Sequence, residues 1–370
     1  MQAVVQHHLA RDPAAGMDAR YVVFFERPGD DPGSVVALGW NWRWIIPRMR
    51  QSFRGVMARW PDRTVVYHNL WGLPFLADLD QARRRLGYIH SNPPDMADSC
   101  RAQRGWVDGL IAVSQHQAGL AARCLPELGP DRIRVVPLPI CPPAGQYPHA
   151  PLKGRALVLG YSGRLTRDIK RIDRLPELAR QLSAQGLAYR LELLGDGRDD
   201  AWLKRRFVPG APVVFHGAKS GAAYWNILAA WDIQVNVSDS EGTPLSLLEG
   251  LCVGVIPLFP NIPSGGVAYS QRVHPSLVYS PGDMADAART ITTLARMPEP
   301  EWEDWRGKCL AAVQGHLGTA YLDGFRTFVG QIEALPRLSR ATAGRRPFFA
   351  TDYAPLGFLA RIAPQGLLKS

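Results

Sequence analysis

Short runs of β-branched and apolar residues alternate with longer amphipathic segments along most of the chain. In the first half, six such runs predict strands, at residues 21–25, 34–38, 64–68, 86–90, 110–113 and 133–136. Helix-length segments lie between most of them. Continuous apolar strands separated by helices are typical of a parallel sheet that is covered on both faces. The pattern therefore predicts a Rossmann-like, doubly wound α/β domain over residues 1–143.

A segment rich in proline then interrupts the alternation, and residues 144–153 are predicted to be an interdomain linker. The pattern resumes with five further strands, predicted at residues 156–161, 190–194, 213–216, 233–237 and 255–258. They indicate a second doubly wound domain over residues 154–318, whose ligand is expected at the carboxyl ends of its strands. Residues 319–370 are predicted to be a helix and a basic tail that return toward the first domain.

The beginning of the chain departs from this pattern. Residues 1–10 are predicted to form a helix, and no strand or glycine-rich turn precedes them. Doubly wound domains normally open with such a strand, so we expect the first strand of this domain to be missing. Either the true start lies upstream of Met1, or this side of the domain is impaired.

Composition narrows the class of protein. The chain has 370 residues and a net charge of +10, which points to an anionic partner such as a nucleotide or a phospholipid. No apolar run is long enough for a transmembrane helix, and no secretory signal pattern opens the chain. Five scattered cysteines without a C-x-x-C pair favour reduced thiols and argue against a zinc site. We therefore expect a cytoplasmic protein, and no motif indicates nucleic-acid binding.

The most informative segment is 238–254, which reads SDSEGTPLSLLEGLCVG and follows a predicted buried strand. Thr243 and Pro244 predict a helix start, with threonine as the N-cap and proline as the first helical residue. The free amides of the following turn, together with the helix dipole, would form an anion site. Glu241 lies before this start and Glu249 about 7–8 Å inside the helix. An alternative is a capped helix with two solvated glutamates.

A second segment, residues 161–174, follows the first strand of the second domain. It carries four cations, Arg164, Arg167, Lys170 and Arg171. Fixed cations at the end of a strand suit a diphosphate, because arginine presents a planar fork and lysine a point charge. Taken alone, these residues favour a solvated basic loop, but a location opposite Glu241 and the helix amides favours the functional interpretation.

Together these motifs resemble a known family. They are Gly163-Arg164-Leu165 with Lys170, Gly195-Asp196-Gly197, Gly217, Glu241-Gly242 and Glu249. The pattern is similar to glycosyltransferase family 4, a retaining, metal-independent family with the GT-B fold that uses nucleotide-activated sugars. The resemblance covers the second domain and, more loosely, residues 66–139. It implies two Rossmann-like domains that face each other across a cleft, and a nucleotide diphosphate sugar as co-substrate without a metal or other cofactor.

The resemblance also implies roles for matching residues. Arg164 and Lys170 would neutralise the departing diphosphate, Glu249 would bind the ribose, and Glu241 would hold hydroxyls of the donor sugar. The remaining donor-binding positions that it implies are Gly163, Gly217, Gly242, Thr243, Pro244 and Leu245.

Three residues of the first domain also match the family loosely. His90 in YIHSNPPD falls where the family has an active-site histidine near the donor sugar, although it could equally be a histidine satisfied at a strand end. His68 is interpreted as part of the cleft wall. Ser114 is predicted to cap the helix that it opens.

Two stretches could contact an anionic membrane surface. Residues 40–60, from Trp40 to Trp60, mix tryptophans with arginines, and one helix of this composition suits a membrane interface. An ordinary amphipathic domain helix is the alternative. The tail after Ala334 carries six basic residues, Arg337, Arg340, Arg345, Arg346, Arg361 and Lys369, against one acidic residue, Asp352.

The sequence thus favours a glycosyltransferase that transfers a sugar with retention to a saccharide or lipid-linked acceptor, in cell-envelope or polysaccharide biosynthesis. It would be cytoplasmic, with peripheral association at the inner face of the membrane. Two alternatives stay open, a GT-B nucleotide-sugar epimerase and a non-catalytic nucleotide-sugar-binding protein.

Overall fold

The computed structural model describes residues 2–12, 16–26, 34–70, 72–92, 96–143, 145 and 147–338. The chain divides into two compact units. The first consists of Met1–Pro139 and Thr319–Ser370, and the second of Ile140–Gly318. Each unit is a parallel α/β structure, as the alternation of strands and helices predicts.

The elements of the first unit up to Pro139 follow in chain order. They are α1 (Gln2–Arg11), β1 (Tyr21–Val23), β2 (Val35–Ala37), α2 (Ile46–Met57), β3 (Thr64–His68), α3 (Leu73–Leu76), β4 (Arg84–Ile89), α4 (Met96–Arg101), β5 (Gly109–Ala112), α5 (Gln115–Cys124) and β6 (Ile133–Val135). Strands β3, β4, β5 and β6 form one parallel sheet in that order, and β1 and β2 form a separate parallel pair.

The sheet of the first unit is interrupted. Within the described residues, β1 pairs only with β2, and β3 pairs only with β4. Helix α1 is fixed nearby by a buried network, in which His8 contacts Asp12 at 2.8 Å and Tyr321 at 2.6 Å. Asp12 also accepts a hydrogen bond from the Tyr21 hydroxyl, so the network joins α1 to β1.

The segment from Trp40 to Trp60 is not one aromatic and basic helix. Helix α2 begins only at Ile46, and its apolar side, which includes Met49 and Phe53, is buried in the core. Trp40, which precedes the helix, is only 3% exposed. Residues 40–60 therefore contain an ordinary amphipathic domain helix, because the core covers the apolar face that a membrane would need.

The second unit contains the next elements along the chain. They are β7 (Leu157–Ser162), α6 (Arg174–Ala184), β8 (Tyr189–Leu194), α7 (Asp200–Lys204), β9 (Val213–Gly217), α8 (Gly221–Ala229), β10 (Ile233–Val235), α9 (Leu245–Cys252), β11 (Ile256–Pro260), α10 (Gly265–Val273), β12 (Val278–Tyr279), α11 (Met284–Leu294) and α12 (Glu299–Ala312). The sheet order is β12-β11-β10-β7-β8-β9, and every pair is parallel.

The residues predicted as a linker, 144–153, belong to the second unit and are attached to it. His149 Nε2 lies 2.7 Å from the carbonyl oxygen of Val253, and the amide of Leu152 donates to Glu299. The contact boundary between the units falls earlier, after Pro139.

The last helix of the described residues, α13 (Ala320–Ala334), belongs to the first unit. Thr64 at the start of β3 donates to Glu333, and Arg84 of β4 donates to backbone carbonyls at the end of α13. Gly109 on β5 makes this approach close, because a Cβ there would lie 2.8 Å from the side chain of Ile332. Of the basic tail, Arg337 is described, and residues 339–370 lie outside the described residues.

Candidate functional site

The strand order of the second unit reverses at one place. The chain enters at β7, continues to β8 and β9 on one side, and then returns to β10 on the other. Ligands of open α/β sheets bind at such a switch point, beside the carboxyl ends of the two strands. The loops that leave β7 and β10 there are the two segments that the sequence singles out, around Arg164 and around Glu241.

Glycines shape the loop that leaves β7. A Cβ at Gly195 would lie 2.1 Å from the carbonyl oxygen of Gly163, and one at Gly197 would lie 2.4 Å from that of Leu165. The amide of Leu165 donates to the carbonyl of Asp196 at 2.7 Å. The Gly-Asp-Gly turn after β8 therefore packs directly against the loop of Gly163, and its glycines are needed for that approach.

The two predicted segments are in direct contact. Lys170 Nζ donates to Glu241 Oε1 at 2.6 Å, and the hydroxyl of Ser238 donates to the same oxygen at 2.7 Å. The amide of Asp239 donates to the carbonyl of Ile169 at 2.9 Å, which ties the loop backbones together. Glu241 is thus fixed at one oxygen by two donors from different positions in the chain.

Most cations of the first loop are paired with nearby carboxylates. Arg167 pairs with Asp199 at 3.1 Å, and Arg171 pairs with Asp173 and Asp239. Arg164 differs, because it is exposed and has no carboxylate within ion-pair distance in the described part of the chain. The uncompensated positive charge of this loop is therefore that of Arg164.

The start of α9 differs by one residue from the predicted one. Thr243 is not the N-cap and Pro244 is not the first helical residue. Pro244 has an extended ψ of 123°, so it is itself the cap position and the helix begins at Leu245. No side chain caps this end, and the amides from Leu245 to Leu247 have no acceptor within the described residues. Three open amides at a helix N-terminus suit an anion.

Glu249 lies one turn further along α9. The hydroxyl of Tyr224, on α8, donates to Glu249 Oε2 at 2.5 Å, and Ser162 Oγ lies 3.3 Å from the same hydroxyl. Burial raises the pKa of the Glu249 carboxyl, and the bond from Tyr224 acts in the opposite direction. The second oxygen, Oε1, has no partner in the described part of the chain.

The glycines of the site have different surroundings. The carbonyl of Gly242 accepts bonds from the amide of Gly265 at 2.7 Å and from the Ser264 hydroxyl at 2.9 Å, which anchors the loop to α10. Gly217 ends β9 with a φ of +67°, and a Cβ there would meet nothing within 4 Å. An open surface thus follows the end of β9.

The histidines predicted in the first unit are next to each other. His68 Nδ1 lies 2.7 Å from His90 Nε2, and the two ring planes are almost parallel, with centroids 5.0 Å apart and an interplanar angle of 8°. Burial lowers the pKa of His68 to about 3 and that of His90 well below its usual value. His68, which was predicted only as part of the cleft wall, is therefore also a direct partner of His90. Ser114 caps α5 as predicted, because its side chain accepts the amide of Gln117.

Other classes of site are not found in the residues that the structure describes. No group of three or more histidine, cysteine, aspartate or glutamate side chains there could hold a metal ion. All five cysteines are free of disulfides. None of the described helices combines the length and apolar character needed to cross a bilayer.

Four residues have a part in these contacts that the sequence does not predict: Tyr224, Ser238, Asp239 and His68. Ser238 and Asp239 open the segment that drew attention, yet nothing in their spacing predicts their partners. Tyr224 lies on α8, 25 positions before Glu249 in the chain, so no local pattern predicts their contact.

Comparison with known proteins agrees with this geometry. Residues 156–297 match the family model of glycosyl transferases group 1. All of the matched residues lie within the second unit. A search of curated proteins found no match for the chain.

Several solved glycosyltransferase structures resemble most of the chain. The lipopolysaccharide outer core galactosyltransferase WaaB, in its apo form, has a TM-score of 0.65 at 16% identity, over 89% of this chain and 93% of WaaB. A trehalose-6-phosphate synthase has a TM-score of 0.63 at 12% identity, over 90% of this chain and 96% of its own.

TarM of S. aureus, in a complex that contains UDP, has a TM-score of 0.54 at 16% identity, over 68% of this chain. The chain spans only 51% of that TarM structure and 58% of a second one. At these identities the likeness shows the fold, which is the predicted GT-B fold of two Rossmann-like domains.

Proposed function

We propose that the protein is a glycosyltransferase that transfers a sugar with retention from a nucleotide diphosphate sugar. The observation that carries the proposal is the contact between Lys170 and Glu241 beside the open N-terminus of α9, inside the group 1 domain. A cation, a fixed carboxylate and free amides at one switch point suit a diphosphate that is attached to a sugar.

The diphosphate would lie between Arg164 and the amides of Leu245 and its neighbours. Arg164 supports this role because its charge is not compensated by a carboxylate in the described residues. Lys170 would supply further charge as the leaving group develops. Preorganised cations do the electrostatic work that a metal ion does elsewhere, so we propose no metal cofactor.

The two glutamates would divide the rest of the donor between them. Glu249 keeps Oε1 for the ribose hydroxyls, while Tyr224 holds Oε2. Glu241 keeps Oε2 for hydroxyls of the sugar, because Lys170 and Ser238 both bind Oε1. Gly217, with open space above it, would let the backbone approach the nucleobase.

We infer that retention follows a front-side path in which the leaving phosphate assists the incoming hydroxyl. A carboxylate nucleophile is the other route to retention, but the proposed site assigns Oε2 of Glu241 to sugar hydroxyls and Oε1 of Glu249 to the ribose, which leaves neither for that role. The similar trehalose-6-phosphate synthase is an enzyme of glycosyl transfer with retention, which supports the same stereochemistry here.

The acceptor is proposed to be a saccharide or a lipid-linked saccharide, as in cell-envelope polysaccharide synthesis. WaaB, which acts on lipopolysaccharide outer core, supports this class. Contact with an anionic membrane would then use side chains outside α2. Trp42 is 54% exposed and stacks on the exposed Phe25, and Arg43 lies beside it.

The test begins with thermal stabilisation of the protein by UDP-, GDP- and ADP-sugars. The donor that stabilises it is then incubated with saccharide and lipid-linked acceptors in the presence of EDTA, and the anomeric configuration of the product is assigned by NMR. A retained anomer in EDTA is expected. An inverted product, a requirement for manganese, a donor epimerised without acceptor, or binding without turnover would each contradict the proposal.

A further inference from the structure

The two histidines of the first unit form a pair with unusual surroundings. His68 ends β3 and His90 follows β4, so neighbouring parallel strands bring them to the same sheet edge. Their nitrogens are 2.7 Å apart, and the ring of Tyr88 stacks on His90 at 3.9 Å. The backbone amide of His90 is held separately, by the side chain of Asn69 at 2.8 Å. His90 is therefore fixed in position and in ring orientation.

One polar atom of this pair has no partner. His90 Nδ1 is buried, and no group in the described residues forms a hydrogen bond with it. Buried polar atoms without a partner are rare in folded proteins, because each loses its bond to water without replacement. A ligand that forms a hydrogen bond with His90 Nδ1 would explain why this buried atom has no partner in the protein.

The contact with His68 limits what His90 Nδ1 can do. A neutral imidazole carries one ring proton, so one nitrogen donates and the other accepts. If His90 donates from Nε2 to His68, then His90 Nδ1 is an acceptor. If His68 donates from Nδ1 instead, His90 Nδ1 becomes a buried N–H donor.

Two considerations favour the first arrangement. It leaves a lone pair unsatisfied in the free protein, whereas the second leaves a buried N–H group, and orphaned N–H groups are the rarer of the two. It also places the ring proton of both imidazoles on Nε2, the tautomer that free histidine prefers. The lowered pKa values of His68 and His90 agree with a neutral pair.

We propose that His68 is a positioning residue that holds His90 in the Nε2–H tautomer, so that His90 Nδ1 accepts a hydrogen bond from a saccharide hydroxyl. The inference rests on the proposed function for the nature of the ligand. His68 would act on the reaction by holding His90 in position, without touching the substrate itself. The hydroxyl belongs to the donor sugar or to the acceptor, since both present the same group.

The first test reads the tautomer directly. Two-bond ¹⁵N–¹H spectra of the full chain, labelled at histidine and assigned with His90→Gln and His68→Gln, report which nitrogen of each ring carries the proton. We expect protons on Nε2 of both His68 and His90 in the free protein. A proton on His90 Nδ1 would overturn the tautomer assignment and with it the proposal.

The second test identifies the ligand in the same spectra. UDP-glucose, UDP-galactose, UDP-N-acetylglucosamine and GDP-mannose are added as donor probes, and free glucose, galactose and N-acetylglucosamine as acceptor probes. A shift of the His90 Nδ1 resonance with a nucleotide sugar but not with its nucleotide assigns the hydroxyl to the donor. A shift with free sugars assigns it to the acceptor. No shift with any probe would overturn the inference, while nucleotide binding at Glu249 would still leave the proposed function intact.

The third test uses two variants at His68. In His68→Asn the side-chain oxygen stands where Nδ1 was and can still accept from His90, whereas His68→Phe keeps a ring but removes the acceptor. We expect kcat/KM for sugar transfer to fall about 10-fold in His68→Phe and by less than about 3-fold in His68→Asn. Nucleotide affinity should be unchanged in both, because the proposed nucleotide site lies in the second unit, and unchanged melting temperatures check that the first unit stays folded. Equal losses in the two variants would contradict a role for His68 as an acceptor.

Discussion

Glu249 offers the sharpest test of the donor site, because the structure assigns one of its oxygens to Tyr224 and leaves the other for a ligand. Glu249→Ala removes both interactions. Tyr224→Phe removes only the hydroxyl and leaves the carboxylate available. If Glu249 binds ribose, the two variants should weaken nucleotide binding by different amounts and with different dependence on pH.

The expected magnitudes follow from the kind of bond that is lost. A hydrogen bond to a charged group contributes about 1.5–3 kcal/mol, so Glu249→Ala should raise the Kd for the nucleoside diphosphate roughly 10- to 150-fold. Tyr224→Phe removes an orienting bond of about 0.5–1.5 kcal/mol, so the Kd should rise roughly 2- to 10-fold.

The pH dependence has a defined sign. Burial raises the pKa of Glu249, and ribose hydroxyls need the ionised carboxylate as acceptor. Binding through Glu249 is therefore complete above the raised pKa and is lost as the pH falls through it. The bond from Tyr224 lowers this pKa, so in Tyr224→Phe the loss should begin at a higher pH than in the parent.

Isothermal titration with UDP, GDP and ADP at pH 5.5 and pH 8 measures these effects, and melting temperatures check the fold. Glu177→Ala and Tyr147→Phe are matched controls, because both side chains lie in the second unit and form their hydrogen bonds with residues outside α9. The reasoning is refuted if Glu249→Ala binds every nucleotide as the parent does, or if titrations at intermediate pH values show the loss of affinity beginning at the same pH in Tyr224→Phe as in the parent.

Three further predictions follow from the two sites. Glu241→Ala should keep nucleotide affinity and lose turnover by at least 10-fold; an equal loss of both would place Glu241 elsewhere on the donor. Arg164→Ala should lower kcat about 100-fold in EDTA. The exposed control Arg198→Ala should leave kcat unchanged. Manganese-dependent activity would argue against stabilisation by cationic side chains alone. Urea denaturation should show that the free energy of unfolding falls below pH 6.5, because His68 and His90 bind protons in the unfolded chain but not in the folded pair. The expected fall is about 1.4 kcal/mol per pH unit for each histidine. The double His68→Phe/His90→Phe variant should lack this slope, and a parent without the slope would contradict burial of the pair as neutral rings.

The alternation of strands and helices can be predicted from the sequence because the strands are apolar on both faces of the sheet. The run predicted at 156–161 is β7 at Leu157–Ser162, and the run at 64–68 is β3 within the same bounds. Helix α10 has little local signal in the sequence, because it begins with Gly265 and Gly266 and glycine disfavours helices. Gly266 is nevertheless required, because a Cβ there would lie 2.4 Å from the ring of Phe259.

Side-chain partners were less accessible to sequence reasoning. The motif with Glu241 and Glu249 predicts that the two carboxylates are close to a helix start, but not which donors reach them. His68 and His90 are 22 positions apart, and their contact depends on the register of β3 and β4. Pairing of this kind is set by the fold, so a single sequence carries no local signal for it.

The cations of the first loop show why charge counts mislead about function. The sequence places four cations between Arg164 and Arg171, and all of them look suited to a diphosphate. Arg167 and Arg171 are instead paired with carboxylates that hold the loop in place. Lys170 is paired too, but with Glu241, the residue proposed to bind the sugar. Replacing Lys170 by alanine would thus remove positive charge and also release Glu241 from one of its two donors, whereas Arg164→Ala removes charge alone. Arg164 is therefore the position at which the electrostatic contribution to transfer can be measured separately from the positioning of the carboxylate.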